Sequence, residues 1–212
     1  MKNQTSLLTI AIGLALVGCS KNPADNVPAA SVQSATNTPA AAAPTPAGSA
    51  RTFVFGPTNS SIGFTGSKVT GKHDGGFREF SGEFSVVDGK LANTGNKVVI
   101  DIGSLYTDAD RLTGHLKSPD FFDAKQFTNA VFETTNVETG ATNATVTGNL
   151  SLHGVTKQIS FPANIQLAAD SVDVTSEFFL NRHDFKMEYP GKPDDLIRKE
   201  VVLRLKVKAT PK

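Results

Sequence analysis

The chain has 212 residues, 39% hydrophobic and 8% aromatic, with a single Cys and no Trp. Its 21 Lys and Arg against 20 Asp and Glu leave a formal charge of +1, which argues against a nucleic-acid surface and against membrane binding through a polybasic patch. One Cys has no disulfide partner and cannot join the four His in a zinc set.

Residues 1–18 begin with Lys2 and continue into an apolar run from Leu7 to Gly18. That run matches the h-region of a signal peptide and is too short to span a bilayer. It ends in LVGC, which resembles the lipobox of bacterial lipoproteins, where a peptidase cuts before the Cys and the thiol is acylated. Residues 1–18 are therefore read as a lipoprotein signal peptide and Cys19 as the lipidation site. Ser20, rather than Asp, follows, as in lipoproteins sorted to the outer membrane. The resemblance implies a lipid-anchored protein of the bacterial cell envelope, on the outer membrane facing the periplasm. Residues 19–50 are dominated by Ala, Pro, Ser and Thr, without an aromatic. Such a segment buries too little apolar surface to offset ordering and is expected to be a disordered tether. All fourteen Phe and both Tyr fall in residues 51–212, which make one domain.

Within that domain the apolar residues alternate. Ile62, Phe64 and Gly66 share a face, as do Phe80, Gly82, Phe84 and Val86. Asp88-Gly89 reads as a hairpin turn. Val98, Ile100 and Ile102 define a further strand, and residues 130–137 another. Val146, Gly148, Leu150 and Leu152 lead to a turn at His153-Gly154, then Ile159, Phe161, Ala163, Ile165 and Leu167 alternate again. Asp170-Ser171 turns the chain into Val172, Val174, Phe178 and Leu180, and the last strand carries Val201, Leu203, Leu205 and Val207. Strands with one wet face, joined by short turns, predict an all-β antiparallel fold of about eight strands that closes into a barrel or splits into a sandwich.

One stretch breaks the alternation. Leu105, Ala109, Leu112 and Leu116 stand at i, i+4, i+7 and i+11, which predicts a short amphipathic helix over 108–117. Thr107 is the expected N-cap, with Asp108 and Asp110 in the first turn. Pro119 stops the helix, because it pushes Ser118 out of the α region. In a barrel the apolar stripe of such a helix has two places to lie, over an open end or on the outer wall.

Gly66, Gly82 and Gly148 fall on apolar faces, where glycine either marks a barrel corner or leaves room inside. With Phe64, Phe84, Phe161 and Phe178 on neighbouring faces, the lumen is expected to be apolar. Eight strands enclose either a filled core or a space for one small ligand.

Several blocks in order resemble the YceI family of polyisoprenoid-binding, lipocalin-like periplasmic proteins: SSIGFTGSKV, FREFSGEFSV, HLKSPDFFDAKQF, VTGNLSLHGVTK and NRHDF. The resemblance covers nearly all of residues 53–208. It implies an extended antiparallel, lipocalin-like barrel around a long apolar tunnel, with a helix beside its mouth. It also implies a long apolar lipid as ligand, a polyisoprenoid or an isoprenoid quinone, and no other cofactor. On that fold the helix, Leu116 and the pair Phe121-Phe122 form the cap over one barrel end, the pair serving also as an anchor for its loop. The expected lipid-binding set is Phe64, Gly82, Phe84, Leu116, Phe121, Phe122, Gly148, Phe161, Phe178 and Arg182.

Arg182 enters that set because a guanidinium forms bidentate contacts with a phosphate or quinone oxygen. His115 and His183 are further head-group candidates, and His153 reads as a turn residue. No His pair has metal-ligand helical spacing, and no nucleophile elbow, P-loop or Rossmann fingerprint is present. The domain therefore reads as a binding protein rather than an enzyme, an envelope lipid carrier or store. The alternative is a structural or stress-related envelope lipoprotein with a packed barrel. Whether two barrels pair is left open.

Overall fold

Period-two alternation puts one face of each strand in water, and the strands bury the other by closing on themselves. The computed structural model describes residues 21–35, 50–140 and 143–212. The expected signal peptide and Cys19 lie outside the described residues. Strands run in chain order as β1 (Ser31–Ser34), β2 (Ala50–Phe55), β3 (Ser61–Lys68), β4 (Gly71–Phe77), β5 (Phe80–Val87), β6 (Lys90–Leu91), β7 (Lys97–Asp101) and β8 (Leu105–Thr107). The helix α1 (Asp110–Leu116) follows. Then come β9 (Asn129–Thr139), β10 (Ala144–Leu152), β11 (Val155–Leu167), β12 (Val172–Asn181), β13 (Gly191–Lys192), β14 (Asp195–Leu196) and β15 (Glu200–Pro211).

The ring is β2, β5, β7, β9, β10, β11, β12 and β15, every neighbour antiparallel, a closed eight-stranded barrel. Closure leaves few of the exposed edges that an open sheet would have, and those left where β11 and β12 part are paired by the 28–34 segment. β15 completes it in two halves: Thr210 and Pro211 pair with β2, whereas Val202–Lys206 pair with β3. From β3 the wall continues through β4 to β8, so the barrel divides at the end where α1 lies.

The predicted turns form as read. His153 and Gly154 (φ 51° and 71°) join β10 to β11, and Asp88 and Gly89 (φ 50° and 73°) join β5 to β6. Positive φ at both central residues is what a two-residue hairpin with native strand twist requires.

Two expectations are corrected. The helix starts at Asp110, with Ala109 as an N-cap that makes no side-chain bond. Thr107 instead donates its hydroxyl to Ala109 O (2.8 Å), and its own N–H donates to Thr113 Oγ1 (2.9 Å). Residues 21–35, read as part of a structureless tether, lie on the barrel. Ser31–Ser34 pair antiparallel with Ser160–Lys157, Ala24 is buried, and Ala30 and Val32 pack against the core. Composition misled here because the backbone bonds of this segment come from the edges of β11 and β12, distant in sequence. Its small apolar residues then need only match an existing wall. Residues 36–49 of the expected tether lie outside the described residues.

Candidate functional site

The inward faces do not meet. They enclose a cavity of about 480 Å³, within the range of small-molecule pockets. Of the expected residues, Phe64 (β3), Phe84 (β5), Phe161 (β11) and Phe178 (β12) all line it. The rings of Phe161 and Phe178 stack at 4.2 Å with an angle of 10° between planes.

One end is capped as expected. Leu112 and Leu116 of α1 face the cavity, followed by Phe121 and Phe122. Phe121 is buried, and the Phe122 ring meets Phe77 edge-on at 6.4 Å. Several bonds hold this cap to the wall. Lys117 Nζ donates to Gly103 O (2.6 Å), the Asp74 N–H donates to Asp108 Oδ2 (3.2 Å), and His73 Nδ1 lies 2.8 Å from Asp108 Oδ1. The hydrogen bond from His73 holds the Asp108 carboxyl below its usual pKa. Of the two places open to the helix, its apolar stripe takes the barrel end, where Leu112 and Leu116 line the cavity.

Two expected residues stand elsewhere. Gly82 and Gly148 do not reach the cavity. Phe55, paired with Gly82 across β2 and β5, lays its ring over that glycine. At Gly148 a Cβ would meet Phe132 Cζ and Glu133 O, both at 2.5 Å. The room these glycines leave is taken by aromatic rings lying against the wall. Gly66 differs: a Cβ there would meet nothing within 4 Å, and the residue lines the cavity.

Arg182 also needs correction. It borders the cavity and is only 5% exposed. Its Nε donates to Arg198 O (3.2 Å), Nη1 to Met187 O, and Nη2 to both Tyr189 O (2.8 Å) and Ile197 O (3.3 Å). A guanidinium has five N–H donors, so one is left, too few for a bidentate head-group contact. Arg182 organises residues 187–198 by satisfying their carbonyls. Burial lowers its pKa, and the negative charge of Glu188 opposes that shift.

His115 sits outside the cavity lining. Its Nε2 lies 2.8 Å from Asp120 Oδ2, and its ring meets Phe121 and Tyr189 edge-on, both at 5.0 Å. His183 is exposed on a short turn that Asn181 caps by accepting its N–H (3.1 Å). His153 occupies the hairpin, with Nδ1 3.0 Å from Phe185 O.

Sequence reasoning missed several lining residues. Phe77 and Phe132 were missed although Phe132 alternates with Ala130 in a predicted strand. Phe185 and Met187 line the cavity from an irregular segment with no periodicity to reveal them. Asn96 and Thr134 supply polar lining. Asn96 is 1% exposed; it accepts the Ser85 N–H (2.9 Å) and donates to Ala92 O (2.6 Å) and Thr134 Oγ1 (3.0 Å).

The class of protein these features define is a closed antiparallel barrel around an apolar cavity, with an amphipathic helix over one end. Residues 53–209 match the YceI-like domain, and the chain belongs to that family. Among curated relatives, a UPF0312 protein of Vibrio parahaemolyticus is 40% identical over 90 residues, 42% of this chain and 48% of that protein. A UPF0312 protein of Pseudomonas putida is 32% identical over 124 residues, 55% of this chain and 65% of that one. The matches thus span about half to two thirds of those relatives' length.

Two solved structures share the fold. BcnA of Burkholderia cenocepacia superposes with a TM-score of 0.65 at 20% identity, covering 72% of this chain and 98% of that one. A polyisoprenoid-binding domain from Saccharophagus degradans, implicated in plant cell wall breakdown, superposes with a TM-score of 0.60 at 19% identity, covering 77% and 100%.

Proposed function

We propose that this domain binds one long apolar lipid of the isoprenoid class, a polyprenyl chain or an isoprenoid quinone, inside its barrel. The observation that carries this reading is the capped cavity of about 480 Å³, lined by Phe64, Phe84, Phe161 and Phe178 rather than filled by them. Membership of the YceI-like family and likeness to a polyisoprenoid-binding domain support the ligand class. Each CH₂ taken from water contributes about 0.8 kcal/mol, so a long chain is driven in even after its ordering cost. The role that follows is an envelope lipid carrier or store, held to the outer membrane through an acylated Cys19.

Native mass spectrometry of protein purified from its own membranes, with extraction of the bound species, tests the ligand. One isoprenoid lipid per chain is the expected result. A lipid-free protein that takes up no apolar probe overturns the reading and leaves a structural envelope protein. Intact mass tests the anchor: acyl chains on Cys19 are expected, and an unmodified, soluble chain overturns that part alone.

A further inference from the structure

The barrel wall is not continuous between β11 and β12. These strands pair only through Asn164–Leu167 and Val172–Thr175. At the fork stands Pro162, which has no N–H to give; the Ser176 hydroxyl donates to its carbonyl at 2.5 Å. Beyond the fork the segment 28–34 fills the space between the two strands. The Ala30 N–H donates to Phe179 O (2.9 Å) and the Phe179 N–H donates to Pro28 O (3.0 Å). On the other side Ser31–Ser34 pair with Ser160–Lys157 of β11. Val32 stands opposite Ile159 and packs inward with it, and Ser31, Gln33 and Ser34 are largely exposed.

Directly behind this segment the wall carries Ile159 and Phe161 on one strand and Phe178 and Leu180 on the other, all lining the cavity. We propose that residues 28–34 are a detachable wall strand, a side gate through which a long apolar chain enters and leaves the lumen sideways. The inference rests on the lipid-binding reading above.

The attachments rank the two routes. The cap over the barrel end is covalently continuous with β8, is pinned by Lys117, Thr107 and Asp108, and buries Phe121. Residues 28–34, by contrast, pack the small side chains of Ala30 and Val32 against the core, with Ala24 buried ahead of them, and are otherwise held by backbone bonds. Segments with few buried apolar contacts open first. A lateral slot also lets an extended chain leave along its whole length, whereas an end-on route drags it past Leu112, Leu116, Phe121 and Phe122.

The test is a reversible lock. Gln33 and Gln158 are directly opposite across the ladder, where strand pairs lie close enough for a disulfide. A full-length chain carrying Gln33→Cys and Gln158→Cys, with Cys19→Ser so that the pair holds the only thiols, is loaded with cis-parinaric acid. Its release into acceptor vesicles of phosphatidylcholine is then followed by fluorescence. Oxidation is expected to slow release by at least about tenfold, because opening of this local unit is removed from the path, and reduction restores the rate. Ala30→Pro, which deletes the N–H bonded to Phe179, is expected to speed release. Equal release from oxidised and reduced forms overturns the side gate. Failure of the unaltered protein to take up the probe overturns both the gate and the lipid-binding reading.

Discussion

The ring of Phe55 lies across Gly82 on the neighbouring strand, in the volume where any side chain at that position would have to stand. Phe132 does the same at Gly148, where the Glu133 carbonyl also closes in. These glycines let large rings lie against the barrel wall, and so keep the lumen open indirectly. Gly82→Leu and Gly148→Leu should therefore each destabilise the fold by about 1–3 kcal/mol, the cost of overpacking. Denaturant unfolding of lipid-free protein checks this. Midpoints equal to that of the unaltered chain would mean that the glycines face empty space.

Gly66 makes the opposite prediction. A Cβ there meets nothing within 4 Å, and the residue lines the cavity. Gly66→Leu should change stability by no more than about 0.5 kcal/mol while it fills part of the lumen. Native mass spectrometry should show lost or shortened lipid with an unchanged melting temperature. Full occupancy by the same lipid would place the ligand elsewhere.

The strands, turns and cap were legible in the sequence because each is local. Alternation, Asp-Gly, His-Gly and the spacing of Leu112 and Leu116 fix one element each without reference to the rest. The site was legible only where a side chain's direction follows from alternation, as for Phe64, Phe84, Phe161 and Phe178. Gly82 and Gly148 misled because their occupants, Phe55 and Phe132, sit on other strands, and register across a sheet is not written in either strand alone. Arg182 misled for the same reason: its carbonyl partners lie on a loop without periodicity. Residues 21–35 misled because a short, weakly apolar segment becomes a strand only against a wall already forked to receive it.

Arg182 holds that loop through four backbone carbonyls. Arg182→Ala removes the donor from the buried Met187 carbonyl and from three partly buried ones, at about 1–3 kcal/mol for each group left stranded away from water. We expect a loss of at least about 2 kcal/mol in global stability, with early hydrogen exchange over residues 187–198. Arg182→Lys should not rescue it, because one ammonium cannot reproduce the planar fork. Unchanged stability together with weakened lipid binding would instead assign Arg182 to a head group.

The Asp108–His73 contact gives the cap a pH dependence. The hydrogen bond from His73 lowers the Asp108 pKa below its ordinary 3.8, so its contribution to stability is fully present above that value and fades as pH falls through the lower folded value. Both side chains are nearly half exposed, which limits the effect to less than about 1 kcal/mol. Asp195, held down by its bond to Lys68, acts in the same direction. Asp108→Asn should therefore lower stability at neutral pH and flatten, without abolishing, the decline as pH falls below the ordinary value of 3.8. A decline as steep in the variant as in the unaltered chain would remove Asp108 from the acid response.

Asn96 is the least exposed polar side chain that borders the cavity, and it ties β5, β9 and the connection after β6 together from inside. Its side-chain carbonyl takes the Ser85 N–H of β5, while its amide serves Ala92 O beyond β6 and Thr134 Oγ1 of β9. Its own N–H donates to the same Thr134 hydroxyl (3.1 Å). Asn96→Ala leaves the partly buried Ser85 N–H and Ala92 carbonyl without their partner, which predicts a loss of about 2–4 kcal/mol. Thr134→Val keeps the shape and removes one shared acceptor, so it should cost less, about 1–2 kcal/mol. The two changes act on one network, so the double variant should lose less than the sum of the single losses. Urea unfolding of the three variants measures this coupling. Strict additivity would show that Asn96 and Thr134 act separately, and that the wall at β5, β7 and β9 is held by its ladders alone.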